Sequence, residues 1–310
     1  MNPYQNWEKM FKDAIQYDVP QLKVGEKIVF LGIGGSGIVG RVLQIIELPI
    51  ELEVYRGFKV KSSKNSSIIV VSYSGETTET LITLKSIIEK ELYNDIIVVT
   101  SNGILLEFAK RYNIKIIELP KGYQTRFVFP FILSTILKTL KISLNINLRL
   151  EELVEGIVER KEELNALSNK LLKEIIGKIP VFYSSKFLPI AERFKQEINE
   201  NAKYPAFFGE IPEVIHNELE VYSKENPLKP IIIGSEEIDL IFFELSNGIL
   251  IKPFYDSILK NISSLAYLAG VLSISLAEKL GRDPLVLEKM KVARERTKSI
   301  FKEELKYYYS

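Results

Sequence analysis

Two apolar runs that each break into a turn and then into a helical pattern constrain this chain more than any other feature. "EKIVFLGIGGSGIVGRVLQII" places a short strand at residues 28–31 ahead of a glycine-rich turn and a helix. "SSIIVVSYSGETTETLITLKSIIEK" repeats the plan, with a strand at residues 68–71, a polar turn and an amphipathic helix. "PIELEVYRGF" between them, then "NDIIVVTSN" and "IKIIELP", supply further β-rich runs. Short Val and Ile strands alternating with helices make a parallel sheet covered on both faces. Residues 1–150 are therefore expected to form a doubly wound α/β domain, closed by the helix "TRFVFPFILSTILKTL".

At 310 residues the chain exceeds what one core usually supports. The strand, turn and helix plan returns in its second half. "KIPVFYSSKFLPIAERFKQEI" can be laid beside the glycine-turn segment with Lys178 against Lys27, and "KPIIIGSEEIDLIFFEL" beside the 68–71 segment. This weak internal repeat implies a sister domain over residues 151–310 that has lost the glycines. The charged amphipathic stretch 149–177 reads as a solvated connector.

Composition closes off several kinds of chemistry. With no cysteine there is no disulfide framework, no thiolate nucleophile and no Cys-ligated metal. One histidine cannot build a zinc site of two or three imidazoles, which leaves only all-oxygen sites for Mg or Ca; no metal or cofactor is expected. A net charge of +1 argues against a nucleic-acid or membrane-surface partner. The start "MNPYQNWEKMFKD" lacks the pattern of a signal peptide, and a cytoplasmic protein is expected. The longest uncharged stretch, "NISSLAYLAGVLSISLA", carries five Asn or Ser side chains and reads as a buried helix, short of a membrane span.

Gly32, Gly34 and Gly37 match the spacing G-x-G-x-x-G, with Gly35 added. A dinucleotide site also needs an acidic residue at the end of the next strand, yet that strand ends in Tyr55 and Arg56. Arg56 leaves an NADP-dependent dehydrogenase open. "SYSGETTET" points elsewhere: Ser72, Ser74, Thr77 and Thr78 cluster where a buried strand enters a helix. A helix N-terminus with added hydroxyls holds a phosphate without any lysine, and this cluster exceeds what capping alone requires.

"GIGGSG" together with "SYSGETTET" resembles the sugar isomerase (SIS) domain, a phosphosugar-binding α/β module that often occurs in pairs. The resemblance implies an α/β protein of two SIS-type doubly wound parallel-sheet αβα domains. Gly34, Gly35, Ser36, Ser72, Ser74 and Thr77 are its expected substrate-binding residues.

Moving a carbonyl between C1 and C2 of a sugar phosphate needs one group to open the ring and another to carry a proton between the carbons. A carboxylate suits the carbon transfer and an imidazole the ring oxygen, with a cation to meet the oxyanion. The sole histidine, His216, lies sixteen residues after Glu200 in "INENAKYPAFFGEIPEVIHNEL". The residues between them include two Pro, a Gly and three aromatics, an irregular excursion of the kind that carries chemistry.

That segment resembles the signature of the archaeal-type bifunctional phosphoglucose/phosphomannose isomerases. The resemblance implies that Glu200 is the carbon base and that His216 opens the ring, reaching the site of the partner subunit of a homodimer. It implies that Arg126, in "QTRFVFPF", stabilises the enediolate, although Thr125 stands where the family has Pro. It also implies a C-terminal Lys that assists ring opening; "LEKMK" places it at Lys291, with Lys289, Arg294 and Lys298 as rivals. The expected enzyme is a metal-independent aldose–ketose isomerase that interconverts fructose 6-phosphate with glucose 6-phosphate, and through the shared planar enediol with mannose 6-phosphate. The alternatives are a non-catalytic phosphosugar-binding regulator and the NADP-dependent dehydrogenase.

Overall fold

The structure is a computed structural model and describes residues 2–222 and 225–309. The chain forms two compact units, one of Lys9–Glu151 with Glu288–Ser310, the other of Met1–Glu8 with Glu152–Leu287. Helix α1 (Trp7–Gln16) leads into the first, the glycine-turn unit. There β1 (Lys27–Leu31), β2 (Glu51–Tyr55), β3 (Ser66–Val71), β4 (Asp95–Thr100) and β5 (Lys115–Glu118) make a parallel sheet of order β2-β1-β3-β4-β5. The connecting helices are α2 (Gly37–Leu43), α3 (Thr78–Glu89), α4 (Gly103–Arg111) and α5 (Phe129–Leu144).

Alternate residues of each strand point to opposite faces, and here both faces are apolar. Val29, Leu31, Ile68, Val70, Ile96 and Val98 pack with Leu81, Leu84 and Ile87 of α3 and with Leu105 and Phe108 of α4. The residues between them, including Ile28, Phe30, Ile69 and Ile97, are equally buried. Phe30 lies against α2, which can approach because position 40 is glycine; a Cβ there would stand 2.5 Å from the ring. The expected strands and the closing helix are all present.

The second unit contains α6 (Glu152–Val158), α7 (Lys161–Ile175), β6 (Ile179–Ser184), α8 (Leu188–Glu197), β7 (Phe207–Glu210), β8 (Leu228–Ile233), α9 (Glu237–Ser246), β9 (Ile249–Ile251) and α10 (Ile258–Lys279). Its parallel sheet has the order β7-β6-β8-β9, which repeats β2-β1-β3-β4 with no fifth strand among the described residues. The weak sequence repeat thus has a topological counterpart. Helix α10 is long and apolar enough to cross a membrane, but 83% of its apolar window is buried inside the protein.

Two expectations change. Residues 149–177 are no solvated connector: Leu153, Ile157, Leu164, Leu171 and Ile175 are buried. A Cβ at Gly156 would stand 2.4 Å from the Lys260 carbonyl, so α6 meets α10 almost backbone to backbone. These apolar residues recur at helical spacing, a stripe that the charges on the remaining surface obscure. The ends of the chain also depart from the division 1–150 and 151–310. Tyr4 and Trp7 belong to the second unit. After α10 the chain rejoins the glycine-turn unit through α11 (Glu288–Ile300) and α12 (Lys302–Leu305). There Tyr308 meets Phe108 at 4.6 Å between ring centroids.

Replacing Leu164 with Ala should cost about 2–4 kcal/mol of unfolding free energy, measured from urea midpoints. A solvated position would cost less than about 0.5 kcal/mol.

Candidate active site

Strands β1 and β3 are neighbours, while β2 lies beyond β1. The loops leaving the C-terminal ends of β1 and β3 therefore run in opposite directions, which opens a crevice where doubly wound sheets bind ligands. The first loop turns at Gly34, whose φ of +58° is a left-handed conformation that suits glycine. Its Ser36 hydroxyl accepts a hydrogen bond from the Tyr73 N–H at 3.4 Å, tying it to the second loop.

In the second loop Gly75 has φ +67°, and a Cβ there would stand 1.8 Å from the Asn102 carbonyl oxygen. Only glycine fits. Ser72 donates to the Thr77 hydroxyl at 3.0 Å, and Ser74 accepts the Glu76 N–H at 3.3 Å. Thr77 is the N-cap of α3, yet its hydroxyl makes no capping bond to the helix. The first-turn N–H donors and the positive end of α3 thus remain at the strand ends beside a hydroxyl cluster, an arrangement that suits phosphate.

Gly35 brings a third segment in. A Cβ at that position would stand 3.1 Å from Thr125 Cγ2 and 3.3 Å from the Arg126 nitrogen. Arg126 is buried, with its guanidinium 4.4 Å from the Phe127 ring centroid. Gly34, Gly35, Ser36, Ser72, Ser74, Thr77 and Arg126 accordingly gather at one end of one sheet.

The basic residues of α11 belong to the same unit and are exposed, Lys291, Lys289 and Arg294 among them. Lys298 reaches the hydroxyl loop: its Nζ lies 2.9 Å from Glu76 Oε2, and that hydrogen bond raises its pKa. The other Glu76 oxygen accepts the Ile104 N–H at 3.0 Å. Lys291 precedes Lys298 by two helical turns on the same face. Sequence reading missed the Glu76–Lys298 contact. Its only signal was an acid inside the hydroxyl loop.

Glu200 and His216 both belong to the second unit. Helix α8 runs into a π-turn over Ile198–Ala202, and the half-buried Glu200 sits in it. His216 ends a short 3₁₀ turn, Glu213–His216, and is exposed. The chain just beyond it is pinned: the Tyr183 hydroxyl donates to Glu218 at 2.6 Å and lies 2.5 Å from the Tyr222 hydroxyl. Burial pushes the Tyr222 pKa up to about 12, so both phenols stay neutral donors.

The equivalent crevice of this unit, between β6 and β8, is filled by the chain itself. Asp239 is buried there, with Oδ1 accepting the Ser185 N–H at 3.0 Å. Its Oδ2 accepts the Ser185 hydroxyl at 3.0 Å and the Glu236 N–H at 3.2 Å. A Cβ at Gly234 would stand 2.0 Å from that oxygen. A carboxylate thus takes the place that an anionic ligand would need.

Burial raises the Asp239 pKa above its ordinary 3.8 despite these hydrogen bonds. The folded state therefore holds the proton more tightly than the unfolded one. Asp239 lowers stability as pH rises from its unfolded pKa through its folded value. Asp239→Asn should remove that decline from a series of urea unfolding curves. At neutral pH it should cost about 1–3 kcal/mol, because one of the former donors loses its acceptor.

Residues 165–296 match the family described as the bacterial phospho-glucose isomerase C-terminal SIS domain. The chain is similar to the D-glucosamine-6-phosphate 4-epimerase of Sulfolobus acidocaldarius, with 45% identity over 301 residues covering 96% of this chain and 98% of that protein. It is 32% identical to the bifunctional phosphoglucose/phosphomannose isomerase of Aquifex aeolicus over 317 residues, covering 94% of each. A hypothetical protein of Thermus thermophilus shares the fold, with a TM-score of 0.76 at 15% identity, covering 96% of this chain and 90% of that one.

Proposed function

The chain belongs to the SIS-domain phosphosugar isomerase family, and on that premise we propose that it inverts C4 of D-glucosamine 6-phosphate to give the galactosamine epimer. The observation that carries this reading is the 45% identity to an epimerase of that substrate, spread over 96% of the chain. In this reading the two loops of the glycine-turn unit hold the phosphate through Ser36, Ser72, Ser74, Thr77 and the N-terminus of α3. Gly34 and Gly35 let backbone approach it.

C4 has no acidic hydrogen in the aldose, so the inversion needs a carbonyl equivalent near it. His216, acting in the partner subunit's site of a homodimer and assisted by Lys291 or a neighbour on α11, opens the ring. Glu200 takes the C2 proton and returns it to C1, which converts the C1 aldehyde to an alcohol and leaves an iminium at C2. Arg126 meets the negative charge on the C1 oxygen during that shift. Loss of the C4 hydroxyl proton then lets the C3–C4 bonding pair flow to the iminium, leaving a C4 aldehyde and a C2–C3 enamine. Rotation of the phosphate-bearing aldehyde and return of the pair reform C3–C4 with C4 inverted. Reversal of the first steps restores the aldose. No electrons are gained or lost overall, and no nicotinamide or metal takes part.

A second reading is favoured by the Glu200 to His216 segment and the relative at 32% identity. In it the same 1,2-proton shift on a neutral sugar interconverts fructose 6-phosphate with glucose 6-phosphate and mannose 6-phosphate. Both readings place the enzyme in the cytoplasm, where sugar phosphates are retained by their charge.

The test incubates the protein in D2O with EDTA and either glucosamine 6-phosphate or fructose 6-phosphate, followed by NMR. Epimerisation should yield galactosamine 6-phosphate that keeps protium at C4 and acquires deuterium at C2. Aldoses formed only from fructose 6-phosphate establish the second reading, and binding with no turnover of either sugar establishes the regulator. Glu200→Gln should slow deuterium entry at C2 by about 10²–10⁴-fold. Undiminished entry means that another group is the base.

A further inference from the structure

Three residues before Glu200 lies a carboxylate that the reaction does not use. Glu197 is 2% exposed, and its Oε1 is paired with the buried Arg193 guanidinium. Its Oε2 accepts from the Tyr4 hydroxyl and, at 3.0 Å, from Asn201 Nδ2. The Asn201 amide also lies 3.0 Å from the Tyr4 hydroxyl and 2.8 Å from Ser273 Oγ of α10. These groups bracket Glu200: Glu197 closes α8, while Asn201 is inside the π-turn.

Tyr4 is built into this position. It is fully buried, and its ring fills a slot that exists because position 270 is glycine; a Cβ there would stand 2.2 Å from the ring. Trp7 backs the ring at 5.0 Å between centroids and lies 5.2 Å from the Arg193 guanidinium. A π-turn is rare, occurs mostly as a single turn within an α-helix and concentrates at functional sites. Here its start and its interior are hydrogen-bonded to one phenol from the N-terminal segment.

We propose that Tyr4 is a positioning residue for Glu200, acting through Glu197 and Asn201 to hold the π-turn in the orientation that the proton shuttle needs. The proposal rests on the reading of Glu200 as the carbon base. Removal of the phenol oxygen leaves the ring in its slot and loosens only the turn. Displacements of about 1 Å at a reacting group can cost up to 10²-fold in rate.

The test is Tyr4→Phe, assayed with glucosamine 6-phosphate and fructose 6-phosphate. The kcat on the sugar that the wild type turns over should fall about tenfold, and deuterium entry at C2 should fall in parallel, because both follow the shuttle. The KM should stay within about twofold, since the phosphate loops are untouched. In a Glu200→Gln background, Tyr4→Phe should cause no further loss of residual turnover, as two residues acting through one step are non-additive. An unchanged kcat in Tyr4→Phe, or the same fold-loss in the Glu200→Gln background, overturns the proposal. Should Tyr4→Phe fail to fold, Ser273→Ala removes another hydrogen-bond partner of Asn201 and is judged by the same criteria. A Glu200→Gln protein that exchanges deuterium at C2 at the wild-type rate refutes the base assignment and this proposal together. Silent Tyr4→Phe beside an inactive Glu200→Gln refutes the positioning alone.

Discussion

The adjacency of β1 and β3, with β2 on the far side of β1, is the constraint on which the rest depends. It makes two loops diverge from one sheet end, and the residue types in those loops decide what the opening can hold. Glycines at 34 and 75 adopt left-handed backbone, and glycine at 35 lets the Thr125–Arg126 backbone close in. The resulting concentration of N–H and O–H donors contains no lysine. A helix N-terminus and clustered hydroxyls are groups that suit a phosphate.

The second sheet shows the same opening put to another use. Its order repeats that of the first, but the chain's own Asp239 accepts from Ser185 and Glu236 in the place where a ligand's anion would sit. One repeat is thereby left with a structural carboxylate, while Glu200 and His216 lie outside that opening, in a π-turn and a 3₁₀ turn.

The features that were legible in the sequence are those with a local cause. Val and Ile runs, turn glycines and a strand-end hydroxyl cluster each declare themselves within about ten residues, so β1 to β5 and the glycine and hydroxyl loops could be read directly. The packing of α6 and α7 could not, because abundant surface charge hides their apolar stripe. The π-turn at Glu200 and the Lys298–Glu76 contact were also invisible. The first depends on a buried network reaching back to Tyr4, and the second joins residues 222 positions apart. Candidate residues could be named, while the buried groups packed around them are set by long-range contacts.

The traded chain ends limit how this molecule can be dismantled. A protease cut near residue 151 would strand Tyr4 and Trp7 on the wrong fragment, emptying the slot beside Gly270. It would equally carry Leu305 and Tyr308 away from the apolar layer beneath α3 and α4. Neither fragment would retain all the side chains that fill its own interior, so the halves of this gene cannot be exchanged as independent modules without moving the termini as well.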